Sequence, residues 1–388
     1  MPALDRRGFL SVSAAALAAA SFLPAQEREA GAAKHRLIIN ALGALDDPNP
    51  NPERALPTQS SPISDPQPTE FTERVLRDAH ASGLSAVNLT LGFVAGPEEP
   101  FEFTVRDVAR MDAIIRRQSK DVLKVLTTAD ILRAQAEERI GLIYGFQNAT
   151  MLGNDASRVE IFANLGVRVI QLTYNPANGL GDGSAEPQNR GLTAFGREVV
   201  ARLNAHRLMV DLSHSGEHTC LEATRSSTQP VSINHTGCRA LNNLPRNKTD
   251  EELRLVAARG GFIGIYFMPF LDPSGHATAE EVVEHIEHAV DVCGEDHVGI
   301  GTDGSITPID DLDAFRAALA GEVAARRAAG ISAAGEGPDT FPFVVDLRGP
   351  NQFRELASRL RRRGYSEARI DKIFGQNFLR FAKEVWGS

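Results

Sequence analysis

Eight short apolar runs recur between residues 36 and 303, and helical chain follows each one. They stop at Asn40, Asn88, Gln147, Tyr174, His214, His235, Met268 and Asp303. Runs this short, without polar alternation, suit parallel strands covered on both faces by helices. Strict alternation of strand and helix predicts the α/β class, a TIM-like (βα)8 barrel with C-terminal helices over 351–386. A long insertion, 310–349, follows the eighth strand. Polar ends on every strand but the seventh gather on one rim, the face where such barrels carry their chemistry. With no internal repeat and no second domain, residues 34–388 are expected to form one barrel. Among the helices, VRDVARMDAIIRRQSKDVLKV (105–125) is expected to be a single one.

The stretch 208–248 concentrates the candidate chemistry. LMVDL ends in Ser213 and His214, and VSI ends in Asn234 and His235, with one helix of chain between them. Neighbouring strands therefore bring two imidazoles to one rim, half of a catalytic metal site; the alternative is a pair of histidines bonded to backbone. His218 lies four residues after His214 but points along its helix, away from the rim. His285 and His288 fall within EVVEHIEHAVDV and are expected on a solvated face. Asp46 and Asp47, in the first rim loop, either supply a missing carboxylate or are simply hydrated. Cys220, Cys238 and Cys293 are too few for a disulfide framework; buried small hydrophobes are expected, with Cys220–Cys238 pairing or metal ligation as the alternatives.

A net charge of −9 and scattered basic residues argue against nucleic acid and anionic membrane surfaces as partners. No apolar segment after the first thirty residues is long enough to span a bilayer. Before it, Arg6 and Arg7 precede Phe9, Leu10 and an alanine-rich apolar stretch, the pattern of a twin-arginine-type signal peptide over residues 1–33. A periplasmic or secreted location follows.

Several segments are similar, in order and spacing, to the membrane (renal) dipeptidases, zinc peptidases on a TIM-like barrel. They are LGVRVIQLTYNPANG, RGLTAFGREVVARLN, MVDLSH, the His235 segment, LPRNKTDEELRLVAARGGFIGI, HVGIGTD and RGYSEARIDKIFGQNFLRF. The resemblance implies two zinc ions bridged by a glutamate. One ion takes a His-x-Asp pair from the first strand, the other two histidines from the fifth and sixth. It also implies a bridging hydroxide that attacks a dipeptide carbonyl and an aspartate after the eighth strand that moves the leaving group's proton. A histidine after the fourth strand would hold the substrate oxygen, and an arginine its free carboxylate.

Carried over position by position, the match is partial. His214 and His235 stand at the ligands of the second zinc, Asp303 at the catalytic aspartate and Arg246 at the carboxylate-binding arginine. Asn247, beside it, is counted among the substrate-binding residues. Leu42 and Ala44 stand at the His-x-Asp pair, Gln147 at the bridging glutamate and Tyr174 at the fourth-strand histidine. Leucine and alanine cannot bind metal, and glutamine offers only a neutral oxygen. The expected centre is therefore reduced to one zinc ion per chain on His214 and His235, or to none. Asp303 or Gln147 adds a further ligand beside water, or Asp303 stays free as general base and Gln147 contacts substrate; Tyr174 bonds the substrate oxygen or fills the pocket. An exported metallo-hydrolase that cleaves a dipeptide or similar small amide is expected; the alternative is an inactive relative that binds such a molecule. The expected partner is that small-molecule or dipeptide substrate, with a homodimer left open.

Overall fold

The computed structural model describes residues 36–49 and 70–387. The signal expected at 1–33 and most of the first rim loop lie outside the described residues. Leu37 begins the compact unit that holds the barrel.

Nine parallel strands occur among the described residues: β1 Ile39–Gly43, β2 Ala86–Leu91, β3 Val122–Lys124, β4 Ile140–Phe146, β5 Val167–Gln171, β6 Met209–Asp211, β7 Ser232–Thr236, β8 Phe262–Ile265 and β9 Val298–Ile300. Eight of them build the wall in the order β1-β2-β4-β5-β6-β7-β8-β9. The ends meet where Asp303 N–H donates to the Leu42 carbonyl (3.0 Å) and Ala44 N–H to the Gly304 carbonyl (3.1 Å), nearly closing the barrel.

The ninth strand, β3, corrects the single helix expected over 105–125. Helix α2 ends at Arg117, because the position that would continue its buried Val108, Met111 and Ile114 is the polar Gln118. Val122 and Leu123 are instead buried in a strand that pairs with the first half of β4, while β5 takes the second half of the same edge.

Helices α1 Glu73–Ser82, α2 Pro100–Arg117, α3 Thr128–Ala136, α4 Arg158–Asn164, α5 Ala194–Ala205, α6 Glu217–Ser226, α7 Asp250–Ala258 and α8 Ala279–Cys293 run between the strands. Threonines 72, 127, 193, 249 and 278 cap five of them, each accepting a first-turn N–H that has no partner within its helix. After β9 come α9 Leu312–Ala328, α10 Gln352–Arg362, α11 Glu367–Asp371 and α12 Asn377–Trp386. Phe378, Phe381, Ala382 and Val385 share one face of α12 and pack with Ile39, Leu123, Val169, Met209 and Phe262. Ile39, Met209 and Phe262 each open their strand, so α12 plugs the N-terminal end of the barrel. The C-terminal rim stays open for a site.

Close packing also shapes that rim. β7 slips in register against β8 between Ile233 and Thr236, and the Asn234 carbonyl lies against Gly264 and Gly301. A Cβ at either glycine would collide with that oxygen, so both positions need glycine for β7 to seat His235. No helix among the described residues is long and apolar enough to cross a membrane.

Candidate active site

The ends of β6 and β7 are tied together by one carboxylate. Asp211 accepts from the N–H groups of Ser213 (3.0 Å) and Asn234 (3.1 Å) and from the Ser213 hydroxyl (2.5 Å). The Ser213 oxygen accepts in turn from His235 N–H at 3.1 Å. Both histidine backbones are thereby fixed. From the loop after β7, Arg246 and Lys248 donate to the Ser213 and Ser215 carbonyls, gripping the chain on either side of His214. Lys248 is itself paired with Glu252 at 3.1 Å, and both are buried.

The proton positions on the two imidazoles follow from their partners. His214 Nδ1 lies 2.7 Å from Asn175 Oδ1. The Asn175 amide nitrogen donates to the Ile331 carbonyl (2.8 Å), so its oxygen faces the ring and accepts. His214 therefore carries its proton on Nδ1 and presents a lone pair at Nε2. His235 Nε2, 2.9 Å away, donates to that lone pair. This leaves His235 Nδ1 buried with no hydrogen-bond partner among the described residues. Burial, reinforced by the nearby Arg246 guanidinium, holds both rings neutral, far below the usual histidine range. Tyr174 stacks on His214 with centroids 4.2 Å apart and planes 22° apart.

Over this pair opens a cavity of about 460 Å³, lined by His214, Tyr174, Gln147, Arg246 and Asp303 among others. Its size falls within the ~300–1,000 Å³ of small-molecule pockets. Asp303 adopts a left-handed φ of 56°, unusual for a non-glycine residue. Desolvation pushes its carboxyl up to about 6, against the opposing pull of Arg246 and Arg326 and a hydrogen bond from Gln147.

Five of the residues expected at the site thus line one cavity, and His235 lies buried directly behind His214. Asn247 is the exception. It is fully buried, donates to the Asn242 and Phe270 carbonyls (2.8 and 2.9 Å) and accepts from the Tyr266 hydroxyl, so it braces the loop rather than meeting a substrate. The histidines of α8 also differ from expectation. His285 is buried, accepting from Cys238 N–H (2.8 Å) and donating to the Leu271 carbonyl (3.0 Å), because α8 packs beneath the loops after β7 and β8. His288 is half-buried, 2.8 Å from Asp250. His218 is exposed, as its helical direction implies. Asp46 bonds the Ser305 hydroxyl on the cavity wall, whereas Asp47 bonds Asn49 and faces Arg74 at 3.7 Å. All three cysteines are free thiols, Cys220 and Cys238 buried and Cys293 partly so.

Asn175 and Arg326, with its partner Glu336, carry no mark in the sequence. Asn175, which orients His214, sits in an irregular loop. Arg326 reaches in from α9, bonded to Glu336 through two nitrogens (3.0 and 2.8 Å), and donates to the Tyr174 hydroxyl at 3.3 Å. An arginine and a glutamate in a surface-like insertion look in sequence like ordinary solvated charges.

A two-ion metal centre does not fit these residues. Leu42 and Ala44 offer no donor, Gln147 brings no negative charge to a bridging position, and no three His, Cys, Asp or Glu side chains among the described residues converge to share an ion. A single ion is better matched. His214 Nε2 is already a lone pair, its other nitrogen held by Asn175 in the way that orients metal-binding histidines. His235 Nε2 becomes a second donor once its proton moves to the unpartnered Nδ1.

A family model described as membrane dipeptidase (peptidase family M19) matches residues 76–316. An amidohydrolase from Pseudomonas aeruginosa is similar in structure, with a TM-score of 0.74 and 31% identity, covering 93% of this chain and 99% of that one. An uncharacterized protein from the pqqA 5′ region of Klebsiella pneumoniae is 26% identical over 302 residues, 75% of this chain and 98% of its own length. Dipeptidase ataJ of Aspergillus terreus is 30% identical over 283 residues, 67% of this chain. This chain spans 61% of that relative's length.

Proposed function

The chain belongs to the membrane dipeptidase family, and from that premise we propose that it hydrolyses a dipeptide or similar small amide with one zinc ion, held by His214 and His235. The observation that carries this reading is the meeting, in one cavity, of His214, the Asp303 carboxyl and the buried Arg246 guanidinium. An ion held by the two imidazoles would polarise the amide carbonyl and lower the pKa of its water.

The remaining roles belong to the chain. Arg246, permanently charged and fixed against Ser213 and the Tyr266 ring, captures the substrate's free carboxylate. Tyr174, receiving a hydrogen bond from Arg326, turns its own hydroxyl proton to the substrate oxygen. Asp303 takes a proton from water at its carboxylate oxygen and passes it to the departing amine, while Gln147 holds that carboxylate in place. Export through residues 1–33 belongs to the same proposal and is supported by Arg6 and Arg7 ahead of the apolar stretch.

The direct His235–His214 hydrogen bond favours one rival reading, a protein that binds a small peptide or amide without cleaving it. Release of free amino acids from a dipeptide panel by zinc-supplied protein separates the two. Turnover that disappears in a folded His235→Ala variant is the expected result. Binding without turnover in both proteins would leave the binder standing.

A further inference from the structure

We propose that the insertion after β9 sets substrate choice: it builds an apolar chamber over the histidines that houses an aromatic or large aliphatic side chain on the acyl side of the scissile amide. The inference rests on the amide-hydrolase reading of the same cavity. Helix α9 presents Phe315, Leu319 and Val323, four residues apart and therefore on one helical face, to the cavity. Phe343 from the returning chain lines the same space. It meets the edge of Phe315 (5.4 Å, 64°) and stacks on Phe341 (5.1 Å, 17°), so two lining rings are held by a third that does not line the cavity.

This wall is not a loose flap. Four contacts tie the insertion to the rim or to itself: Arg326 to the Tyr174 hydroxyl, Arg326 to Glu336, Asn175 to the Ile331 carbonyl (2.8 Å) and Val344 N–H to the Phe267 carbonyl (3.0 Å). Two of these contacts reach Tyr174 and Asn175, the residues that stack on and orient His214, so the chamber is in register with the reacting centre. Charged groups line the cavity too: Arg246 is buried, and Glu322, Arg326 and Glu336 come from the insertion itself, so the apolar surface is the patch made by Phe315, Leu319, Val323 and Phe343. In the proposed pose the substrate's carboxylate sits on Arg246 and its acyl side chain lies against that patch, both of which line the one cavity. The family match ends at residue 316, so Leu319, Val323 and Phe343 lie beyond the matched residues.

The test compares Phe–Ala, Leu–Ala and Ala–Ala, in each combination of configurations, on zinc-supplied full-length protein. Even one methylene in an apolar pocket is worth roughly 10-fold or more in discrimination, so Phe–Ala and Leu–Ala should exceed Ala–Ala in kcat/KM by at least about 10-fold. Phe343→Ala should shrink that ratio several-fold, while Phe343→Leu, which keeps an apolar surface, should retain most of it; thermal melting shows that both variants are folded. A ratio near one in the native protein, or an unchanged ratio in folded Phe343→Ala, overturns the inference. If no dipeptide is cleaved, the same ratios are read as Kd by calorimetry. A retained preference then upholds the chamber while the hydrolase reading fails, and equal affinities sink both.

Discussion

Asp303 is held by three influences at once: a backbone bond to Leu42, a hydrogen bond from Gln147 and a desolvating wall that pushes its carboxyl up to about 6. The working base is the charged form, which is populated above that value and lost below it. The proposed role predicts that kcat/KM falls as pH drops through about 6, tenfold per unit at the limit. Asp303→Asn should lower turnover by about 10²–10⁴-fold and abolish that acid limb while leaving the fold intact. A folded Asp303→Asn variant with native turnover would remove the residue from the mechanism. His214, His235, Arg246 and Asp303 were legible in the chain because they end strands or stand in matched segments. Asn247 misled because its neighbour Arg246 lines the cavity while its own amide bonds inward to Asn242 and Phe270. Asn175 and Arg326 stayed hidden because their roles come from where an irregular loop and an inserted helix happen to meet the rim.

Among the elements, α12 does for the closed end of the barrel what the insertion does for the open end. Its buried face is at helical spacing, with Phe381 fully buried against the ring of Phe262, 6.0 Å between centroids. Truncating such a ring leaves a cavity in packed surroundings, so Phe381→Ala should cost about 3–5 kcal/mol in urea unfolding. Metal binding at the far end should survive under native conditions; loss of less than about 1 kcal/mol would mean that α12 is not the plug. The barrel strands were readable as apolar runs because each is buried on both faces. β3 was not, since three residues directly after a polar turn carry too little pattern to stand out from the helix before them.

For the molecule as a whole, acid should be damaging because histidines are buried in neutral form. His285, which does not line the cavity, is pushed down to about 4 by burial. The unfolded chain takes up a proton near the ordinary value of about 6.5, and the folded chain does not. Stability is therefore fully present above that value and declines as pH falls toward 4, by up to about 1.4 kcal/mol per unit for this one group. His285→Gln keeps an acceptor and a donor without the titration and should flatten the slope of stability against pH by nearly one proton. An unchanged slope would show that His285 does not remain neutral in the folded protein.

With Leu42, Ala44 and Gln147 where the family's other ligands would stand, the proposed centre holds one ion. Elemental analysis of zinc per chain, on protein purified with the metal available, decides this. About one ion per chain, lost on His214→Ala, is the predicted result. No uptake would contradict the metallo-hydrolase and leave a binding protein; two ions per chain would contradict the roles assigned to Leu42, Ala44 and Gln147.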